Sequence, residues 1–356
     1  MTSALIIDGP TAITESWLGD ALMSSGIGVT VRSVRVTPLG TGQVASAFRI
    51  HADYADGEGP PRLVVKLPSG DPEVRARHAM PYRTEARFYS DLASKLRLPV
   101  PRCYFAGISD DGLSFTLLLE DMAPAVPGDQ LAGCSAEQAL AAALTVAQLH
   151  ACTWCDPSLD HIDWLIPRSA EILQVLAGLA RDATSSFVDS YDIDAGTAAV
   201  FTEFAEYVIP WLTDRRGPFA LVHNDYRLDN LLFDTVDAHV ARVTAVDWQS
   251  LTVGAPLRDV AYLLGTGMLP AERRIRERGI VDSYHHALLE AGVRHYGAEQ
   301  CWEDYRRAQL QGPLISILGA AFSMPTDRSR PMFCAMAQRS AAAIRDLESF
   351  ALIDHT

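Results

Sequence analysis

The most informative part of this chain is the segment Leu221-Val-His-Asn-Asp-Tyr-Arg-Leu-Asp-Asn-Leu-Leu-Phe233, followed by Val243-Thr-Ala-Val-Asp-Trp-Gln249. The first segment places Asp225 and Asn230 five positions apart, on a short loop between two apolar runs. The second places Asp247 at the end of a β-branched strand. Three oxygen-bearing side chains therefore follow apolar strands at fixed spacing.

This spacing suits the transfer of a phosphoryl group. The protein contributes little covalent chemistry to that reaction, and instead positions an acceptor hydroxyl and holds Mg²⁺ across the phosphate oxygens. The carboxylate of Asp225 suits the first task, and the amide of Asn230 with the carboxylate of Asp247 suits the second. The pattern predicts an ATP- and Mg²⁺-dependent phosphotransferase.

Length and composition agree with a soluble enzyme of two lobes. The chain has 356 residues, more than one core usually supports, and 48% of them are hydrophobic. Its formal charge of −14 argues against a nucleic-acid partner, because phosphate backbones require clustered Lys and Arg. A signal peptide and a bilayer-spanning segment are not evident. We therefore expect a cytoplasmic protein with no membrane association and no obligate protein partner.

The six cysteines are scattered, as reduced core residues are in a cytosolic protein. Cys152-Thr-Trp-Cys155 formally matches a redox or half-zinc motif. However, it follows the Ala-rich run from Ala139 to His150, and packing alone explains thiols near one helix face. Without a second pair at ligand spacing, we expect neither metal nor redox chemistry here.

Periodicity predicts an α+β, bilobal protein-kinase-like fold with a small antiparallel-sheet N-lobe and a large helical C-lobe. Residues 12–26 have helical spacing, and strands are expected at 29–37, 44–51, 62–67, 104–107 and 114–119. A helix is expected to start between Pro81 and Thr84 and to run through Leu96. Long helical patterns follow at 136–151, 168–182, 194–213, 257–267, 271–292, 297–320 and 330–352.

These patterns predict three segments: an N-lobe over residues 1–119, a hinge over 120–124, and a C-lobe over 125–356. The N-lobe would hold the nucleotide phosphates, and the C-lobe would carry the catalytic loop, the metal site and the acceptor pocket. The active site is expected in the cleft beside the short hinge, where pockets prefer to form.

Lys66 lies inside the apolar strand Leu63-Val-Val-Lys-Leu67 and is the predicted ligand of the nucleotide phosphates. A snorkelling lysine on an edge strand is the alternative. Glu85, read as opening the next helix, is the predicted ion-pair partner of Lys66. Its alternative role is to complement the dipole of the first helical turn.

Two weaker features complete the candidate site. Gly40 and Gly42 lie in the turn between the first two strands, where backbone N–H groups could cover phosphates, and Ser46 could add a hydroxyl donor. A plain hairpin turn would look much the same. Arg227 could reach the transferring phosphoryl group, or it could be a solvent-exposed arginine. Asp259 is expected to brace the loop rather than to act in catalysis.

The motifs resemble those of the aminoglycoside phosphotransferase and choline kinase superfamily. The resemblance rests on His223 to Asn230, on Asp247-Trp-Gln249 in place of the usual aspartate-phenylalanine-glycine, and on Gly254 followed by Asp259-Val-Ala-Tyr262. Leu118-Leu-Glu-Asp-Met122 and Ala147-Gln-Leu-His-Ala-Cys-Thr-Trp154 are similar to the ecdysteroid-kinase-like branch. Asn224 departs from the pattern, since the family usually has glycine there.

The resemblance implies a kinase-like fold, and it implies roles for individual residues. Asp225 would be the catalytic base, Asn230 and Asp247 the magnesium ligands, and Lys66 and Glu85 would act at the phosphates of ATP. Backbone groups around the hinge, at Glu120, Asp121 and Met122, would hold the adenine.

The acceptor is predicted to be the hydroxyl of a small molecule. Asp247 and Asp259 are only twelve positions apart, and no alanine-proline-glutamate motif follows, which leaves no activation loop to dock a peptide. Aromatic residues in the segments 154–164, 201–211 and 302–324 are expected to line a pocket for a partly apolar alcohol, unless they pack in the core. A nucleotide-binding pseudokinase scaffold and, less favoured, a protein kinase are the competing interpretations.

Overall fold

The computed structural model describes residues 2–40, 45–96, 98–165, 169–214, 216–322 and 326–354. The chain divides into two compact units. The first unit comprises Met1–Leu96, Val100–Pro124 and Val246–Ser250, and the second comprises Arg97–Pro99, Ala125–Ala245 and Leu251–Thr356. The short segment that carries Asp247 thus belongs to the first unit, although most of the sequence around it belongs to the second.

The first unit contains a five-stranded antiparallel sheet. Its strands are β1 (Thr30–Pro38), β2 (Ala45–Asp56), β3 (Arg62–Pro68), β4 (Cys103–Ile108) and β5 (Phe115–Glu120), in the order β1-β2-β3-β5-β4. All five lie where alternation predicted strands, because β-branched and aromatic side chains suit a half-buried pleated surface.

The two faces of β3 have different environments. Leu63, Val65 and Leu67 are fully buried and pack with Trp17 and Leu18 of helix α1 (Glu15–Ser24). Successive side chains of a strand point to opposite faces. Lys66 is therefore directed to the face opposite this apolar core.

The helix after β3 begins earlier than its sequence predicted. Helix α2 spans Pro72–Arg87, with Asp71 as its N-cap and Pro81 inside it. The Asp71 carboxylate accepts a hydrogen bond from the backbone N–H of Glu73, and proline is well suited to the first helical turn. Pro81 kinks the helix instead of starting it, and His78 departs from helical backbone angles.

The second unit is mainly helical. Its helices are α3 (Ala136–Cys152), α4 (Ala170–Ser190), α5 (Ala195–Thr213), α6 (Leu257–Gly267), α7 (Pro270–Glu290), α8 (Ala298–Arg307), α9 (Gln311–Phe322) and α10 (Ser329–Leu347). The helix predicted over 297–320 is divided into α8 and α9, because Pro313 has no N–H to continue the helical hydrogen bonds.

Five further short strands flank the segments that carry Asp225, Asn230 and Asp247. They are β6 (Val126–Pro127), β7 (Ala220–Val222), β8 (Leu231–Val236), β9 (His239–Ala245) and β10 (Thr252–Gly254), which form a three-stranded sheet in the order β6-β8-β9 and a two-stranded sheet of β10 and β7. The loop carrying Asp225 and Asn230 runs from β7 to β8. The α+β fold class, with an antiparallel sheet followed by a helical region, is confirmed.

The aromatic residues of α5 form the core of the second unit. Phe201, Phe204 and Val208 are fully buried, and Trp211 is only 3% exposed. They pack in one cluster with residues of α4, α9 and α10. Of the two roles expected for segment 201–211, the structure supports packing in the core for Phe201, Phe204 and Val208, since these side chains face other helices.

We expect Phe204→Ala to lower the free energy of unfolding by about 3–5 kcal/mol, because it leaves a cavity among close-packed side chains. Phe322→Ala is the matched control, since Phe322 is 56% exposed. Urea denaturation of both variants measures the difference. Equal losses in the two variants would contradict the assigned core.

Candidate active site

Lys66 makes two short ion pairs within the first unit. Its Nζ atom lies 2.6 Å from Glu85 Oε2 and 2.8 Å from Asp247 Oδ1. The Lys66 side chain is 17% exposed, and that of Glu85 is 3% exposed. The alternative of a snorkelling surface lysine does not fit this arrangement.

Glu85 lies in the last turn of α2, not the first as its sequence context suggested. A negative charge near a helix C-terminus opposes the helix dipole, so the dipole does not explain its position. The carboxylate is instead held by Lys66 and by a hydrogen bond from the backbone N–H of Trp248. The ion pair with Lys66 is therefore the reason for a buried acid here.

The charges of this cluster depend on one another. Burial alone would lower the pKa of Lys66, but the nearby carboxylates of Asp247 and Glu85 outweigh it and raise that pKa. Burial raises the pKa of Glu85, against the opposing effect of the Lys66 ammonium. With two carboxylates and one ammonium, the ionised cluster carries a net negative charge and favours a further cation nearby.

Trp248 fixes the segment that carries Asp247. Its indole ring stacks on Phe88, with ring centroids 4.1 Å apart and planes inclined by 10°. Trp248 and Phe88 are both fully buried. Asp247 itself has a positive φ of 67°, a left-handed conformation that aspartate adopts more often than most residues. Packing of the neighbouring tryptophan helps to hold this left-handed backbone at Asp247.

Within the second unit, the Asp225 carboxylate is held from several sides. Asn230 Nδ2 donates hydrogen bonds of 3.0 Å to both Oδ2 and the backbone carbonyl of Asp225. The hydroxyl of Tyr262 donates to Asp225 Oδ1 at 3.2 Å. Asp225 and Asn230, predicted to act together, are therefore in direct contact.

Arg227 is mostly buried rather than solvent-exposed, with 20% of its side chain accessible. Its Nε atom lies 3.5 Å from Asp225 Oδ2, and Nη1 lies 3.9 Å from Asp229 Oδ2 and 3.3 Å from Met332 Sδ. The alternative of a surface arginine is thus wrong. The guanidinium lies beside the carboxylate predicted to receive the acceptor proton.

The backbone of the loop is braced by a buried carboxylate, as predicted for Asp259. Asp259 is fully buried and accepts hydrogen bonds from the backbone N–H groups of His223 at 2.7 Å and Asn224 at 2.8 Å. His150 Nε2 lies 3.2 Å from the same carboxylate. Asn224 adopts a φ of 67°, a conformation that asparagine tolerates, which explains how it replaces the usual glycine.

A second set of contacts braces the loop, and sequence reasoning missed it. The side chain of Gln130 accepts a hydrogen bond from the backbone N–H of Leu228, and its own backbone N–H donates to Asp229. Arg328 bridges the carboxylates of Asp229 and Asp129 at 2.7 Å each. These partners lie about 100 or more positions away in sequence, so no local motif marks them.

The remaining predicted nucleotide-binding residues have separate environments. Gly40 has a φ of 71° and open space around its α-carbon, whereas Gly42 lies outside the described residues. Ser46 pairs with Leu67 in the sheet. Asp121 is bound by Arg49 through two hydrogen bonds of 2.8 and 3.2 Å, so its side chain stabilises the hinge. Glu120 ends β5, and Met122 is half-buried.

The model of the phosphotransferase enzyme family (APH) matches residues 35–309. This range is most of the chain and includes Lys66, Glu85, Asp225, Asn230 and Asp247. The chain therefore belongs to the phosphotransferase enzyme family, as its resemblance to aminoglycoside phosphotransferases and choline kinases implied.

Curated relatives match over shorter segments. Acyl-CoA dehydrogenase family member 11 of Gallus gallus is 31% identical over 108 residues, which cover 30% of this chain and 14% of that protein. Acyl-CoA dehydrogenase family member 10 of Mus musculus is 42% identical over 69 residues, or 18% of this chain and 6% of that protein. The chain thus matches only a small part of the length of these relatives.

Solved structures share the fold over nearly the whole chain. Choline kinase from Cryptosporidium parvum has a TM-score of 0.55 at 11% identity, covering 90% of this chain and 91% of that one. Ethanolamine kinase of Plasmodium vivax has a TM-score of 0.54 at 11% sequence identity, covering 88% of this chain and 82% of that one. The GDP complex of aminoglycoside 2'-phosphotransferase-IIIa has a TM-score of 0.54 at 14% identity, covering 92% of this chain and 98% of that one. At such identities the likeness establishes the fold.

The described residues include neither a candidate membrane-spanning helix nor a candidate metal-ligand group. None of their helices has both the length and the apolar character that a membrane crossing requires. Nor do they contain a group of three or more His, Cys, Asp or Glu side chains arranged to hold a metal ion.

We expect Asp259→Ala to destabilise the protein strongly, because it leaves the buried N–H of His223, the partly buried N–H of Asn224 and the buried ring of His150 without their acceptor. Each unsatisfied buried donor costs about 1–3 kcal/mol, so the free energy of unfolding should fall by at least about 3 kcal/mol in urea titrations. Asp282→Ala, which removes an exposed ion pair with Arg278, should cost less than about 1 kcal/mol. Similar losses in both variants would show that Asp259 does not brace the loop.

Proposed function

We propose that this protein is an ATP- and Mg²⁺-dependent kinase that phosphorylates a hydroxyl group of a small molecule. The observation that carries the proposal is the contact between Asp225 and Asn230. Asn230 directs its amide nitrogen to Asp225, which leaves the amide oxygen Oδ1 available as a cation ligand. One short loop thereby supplies a carboxylate for the acceptor and an oxygen for the metal.

In this proposal Asp225 is the catalytic base. Its carboxylate accepts the proton of the acceptor hydroxyl as the hydroxyl oxygen attacks the terminal phosphorus of the nucleotide. The bond between this phosphorus and the oxygen of the leaving nucleoside diphosphate breaks. Arg227, whose Nε atom lies 3.5 Å from Asp225, is placed to offset negative charge on the transferred group. The loop bracing by Asp259 keeps both groups in position.

Asn230 and Asp247 fit the requirements of Mg²⁺, which prefers oxygen ligands and commonly keeps only one or two protein side chains beside phosphates and water. When bound, the ion would neutralise charge on the phosphate oxygens. The net negative charge of the Lys66, Glu85 and Asp247 cluster also favours a cation at this position.

Lys66 and Glu85 are proposed to act at the nucleotide phosphates. Glu85 is buried and accepts a hydrogen bond from the Trp248 N–H, so it can hold the Lys66 ammonium in place, and Asp247 would be one of the residues that hold the metal. Backbone groups of Glu120, Asp121 and Met122 would hold the adenine, and the turn containing Gly40, Gly42 and Ser46 would cover the phosphates. The predicted segments 1–119, 120–124 and 125–356 follow from this division of roles.

The acceptor is proposed to be a small alcohol, and the protein to act in the cytoplasm without nucleic acid, membrane or an obligate protein partner. The twelve positions between Asp247 and Asp259 leave little chain for docking a peptide. Assignment to the ecdysteroid-kinase-like branch rests on the motifs at Leu118–Met122 and Ala147–Trp154. Transfer of labelled phosphate from ATP to a panel containing choline, ethanolamine, kanamycin and hydroxylated apolar metabolites tests the acceptor class directly.

Asp247→Ala should abolish Mg²⁺-dependent nucleotide binding while the fold is retained, because an oxygen ligand of the cation is lost. Thermal stabilisation by ATP with and without Mg²⁺ measures the effect. Asp110→Ala, which removes an exposed carboxylate from the same unit, should keep the stabilisation of the wild type. Unchanged stabilisation of Asp247→Ala would reject the assignment.

Asp225→Asn retains the size of the side chain and one acceptor oxygen, but removes the charge that receives the proton. We expect turnover to fall by at least about a hundredfold, as is typical when a general base is lost. The dissociation constant for ATP should change little, because the nucleotide is bound elsewhere. Near-normal turnover in this variant would rule out Asp225 as the base.

A further inference from the structure

Tyr262 provides a contact to Asp225 that the family motifs do not assign. It lies on α6, its side chain is fully buried, and its ring packs in the core cluster of the second unit. Its hydroxyl donates a hydrogen bond to Asp225 Oδ1 at 3.2 Å. Helix α6 therefore places the Tyr262 hydroxyl, a hydrogen-bond donor, beside one oxygen of the proposed catalytic base.

The two oxygens of Asp225 have different donors. Oδ1 accepts a hydrogen bond from the Tyr262 hydroxyl, and Oδ2 accepts one from Asn230 Nδ2 at 3.0 Å. Arg227 Nε also lies 3.5 Å from Oδ2. Each carboxylate oxygen has two lone pairs and can accept more than one hydrogen bond. Rotation of the carboxylate about its terminal torsion would break both contacts. Together the two donors select one orientation.

Burial, together with the negative charge of Asp225, raises the pKa of Tyr262 well above its ordinary value, so the phenol stays protonated and remains a donor. The same helix also holds the backbone of the loop. Asp259, three positions earlier on α6, accepts from the N–H groups of His223 and Asn224. Residues three apart lie on one helix face, so α6 fixes both the main chain before Asp225 and its side chain.

We propose that Tyr262 is a positioning residue for the kinase reaction, which sets the orientation in which Asp225 receives the acceptor proton. This inference rests on the proposed function, because it assigns Tyr262 a role through Asp225. A purely structural tyrosine would make the same hydrogen bond only to satisfy its buried hydroxyl. Removing the hydroxyl alone distinguishes the two roles, because only a positioning role predicts a change in the orientation of Asp225 and in turnover.

Tyr262→Phe keeps the packed ring and removes the hydroxyl. In a crystal structure of Tyr262→Phe, we expect the Asp225 carboxylate to be rotated or to occupy more than one orientation. In a crystal structure of the wild type, we expect a single orientation. Turnover of ATP with Mg²⁺, with water as acceptor where no alcohol is supplied, should fall by at least about tenfold with KM for ATP unchanged, because small misplacements of a catalytic group are costly.

Tyr305→Phe is the matched control, because Tyr305 is also fully buried and donates to a carboxylate, that of Glu277, at 2.8 Å. It should lose stability but keep turnover and the orientation of Asp225. In an Asp225→Asn background, Tyr262→Phe should cause no further loss of turnover, since its effect passes through the charge of Asp225.

The proposal is overturned if Asp225 keeps one unchanged orientation in Tyr262→Phe, or if the loss of turnover is the same in the Asp225→Asn background. Failure of the proposed function gives a different result. If the wild type does not turn over ATP at all, the kinase assignment fails, and the orientation of Asp225 in the two crystal structures still decides whether Tyr262 positions it.

Discussion

The arrangement of the loop that carries Asp225 and Asn230 depends on the buried carboxylate of Asp259. It accepts hydrogen bonds from two consecutive backbone N–H groups, at His223 and Asn224, and it contacts His150. A buried carboxylate is stable only when such donors satisfy it, and the donors are equally costly to leave unpaired. This mutual requirement holds Asn224 at its positive φ and sets the direction in which the chain enters Asp225. Because Asp259 lies on α6, the position of that helix determines the geometry of the loop.

The first unit has an equivalent constraint in the Lys66, Glu85 and Asp247 cluster. One ammonium is shared by two carboxylates at 2.6 and 2.8 Å, and the Glu85 side chain is almost fully buried. Removing Lys66 would leave two neighbouring carboxylates without their cation, so this ammonium keeps β3, α2 and the Trp248 segment together. The same excess of negative charge makes Asp247 a ready ligand for a cation. Stability and the proposed chemistry therefore depend on the same three side chains.

Local patterns in the sequence were sufficient for much of this structure. Strand alternation located all five strands of the first sheet, and the spacing of Asp225 and Asn230 indicated that they act together. The sequence around Pro81 suggests a helix start, but α2 begins at Pro72, where Asp71-Pro72 carries the usual N-terminal features. The contacts of Gln130, Arg328 and Tyr262 join distant parts of the chain, so periodicity could not reveal them. The aromatic residues of α5 show the same limit, since composition does not distinguish a packed core from a pocket lining.

Asn230 and Asp247 are proposed to bind the metal ion of a nucleotide whose phosphates Lys66 contacts. A crystal structure with Mn²⁺ and a non-hydrolysable ATP analogue would test this claim, because the anomalous signal locates the ion independently of any acceptor. We expect one Mn²⁺ ion bound by Asn230 Oδ1 and the Asp247 carboxylate, with the Lys66 ammonium on a phosphate oxygen and still paired with Glu85. An ion or nucleotide bound elsewhere, with Lys66 remaining on Asp247, would contradict the claim.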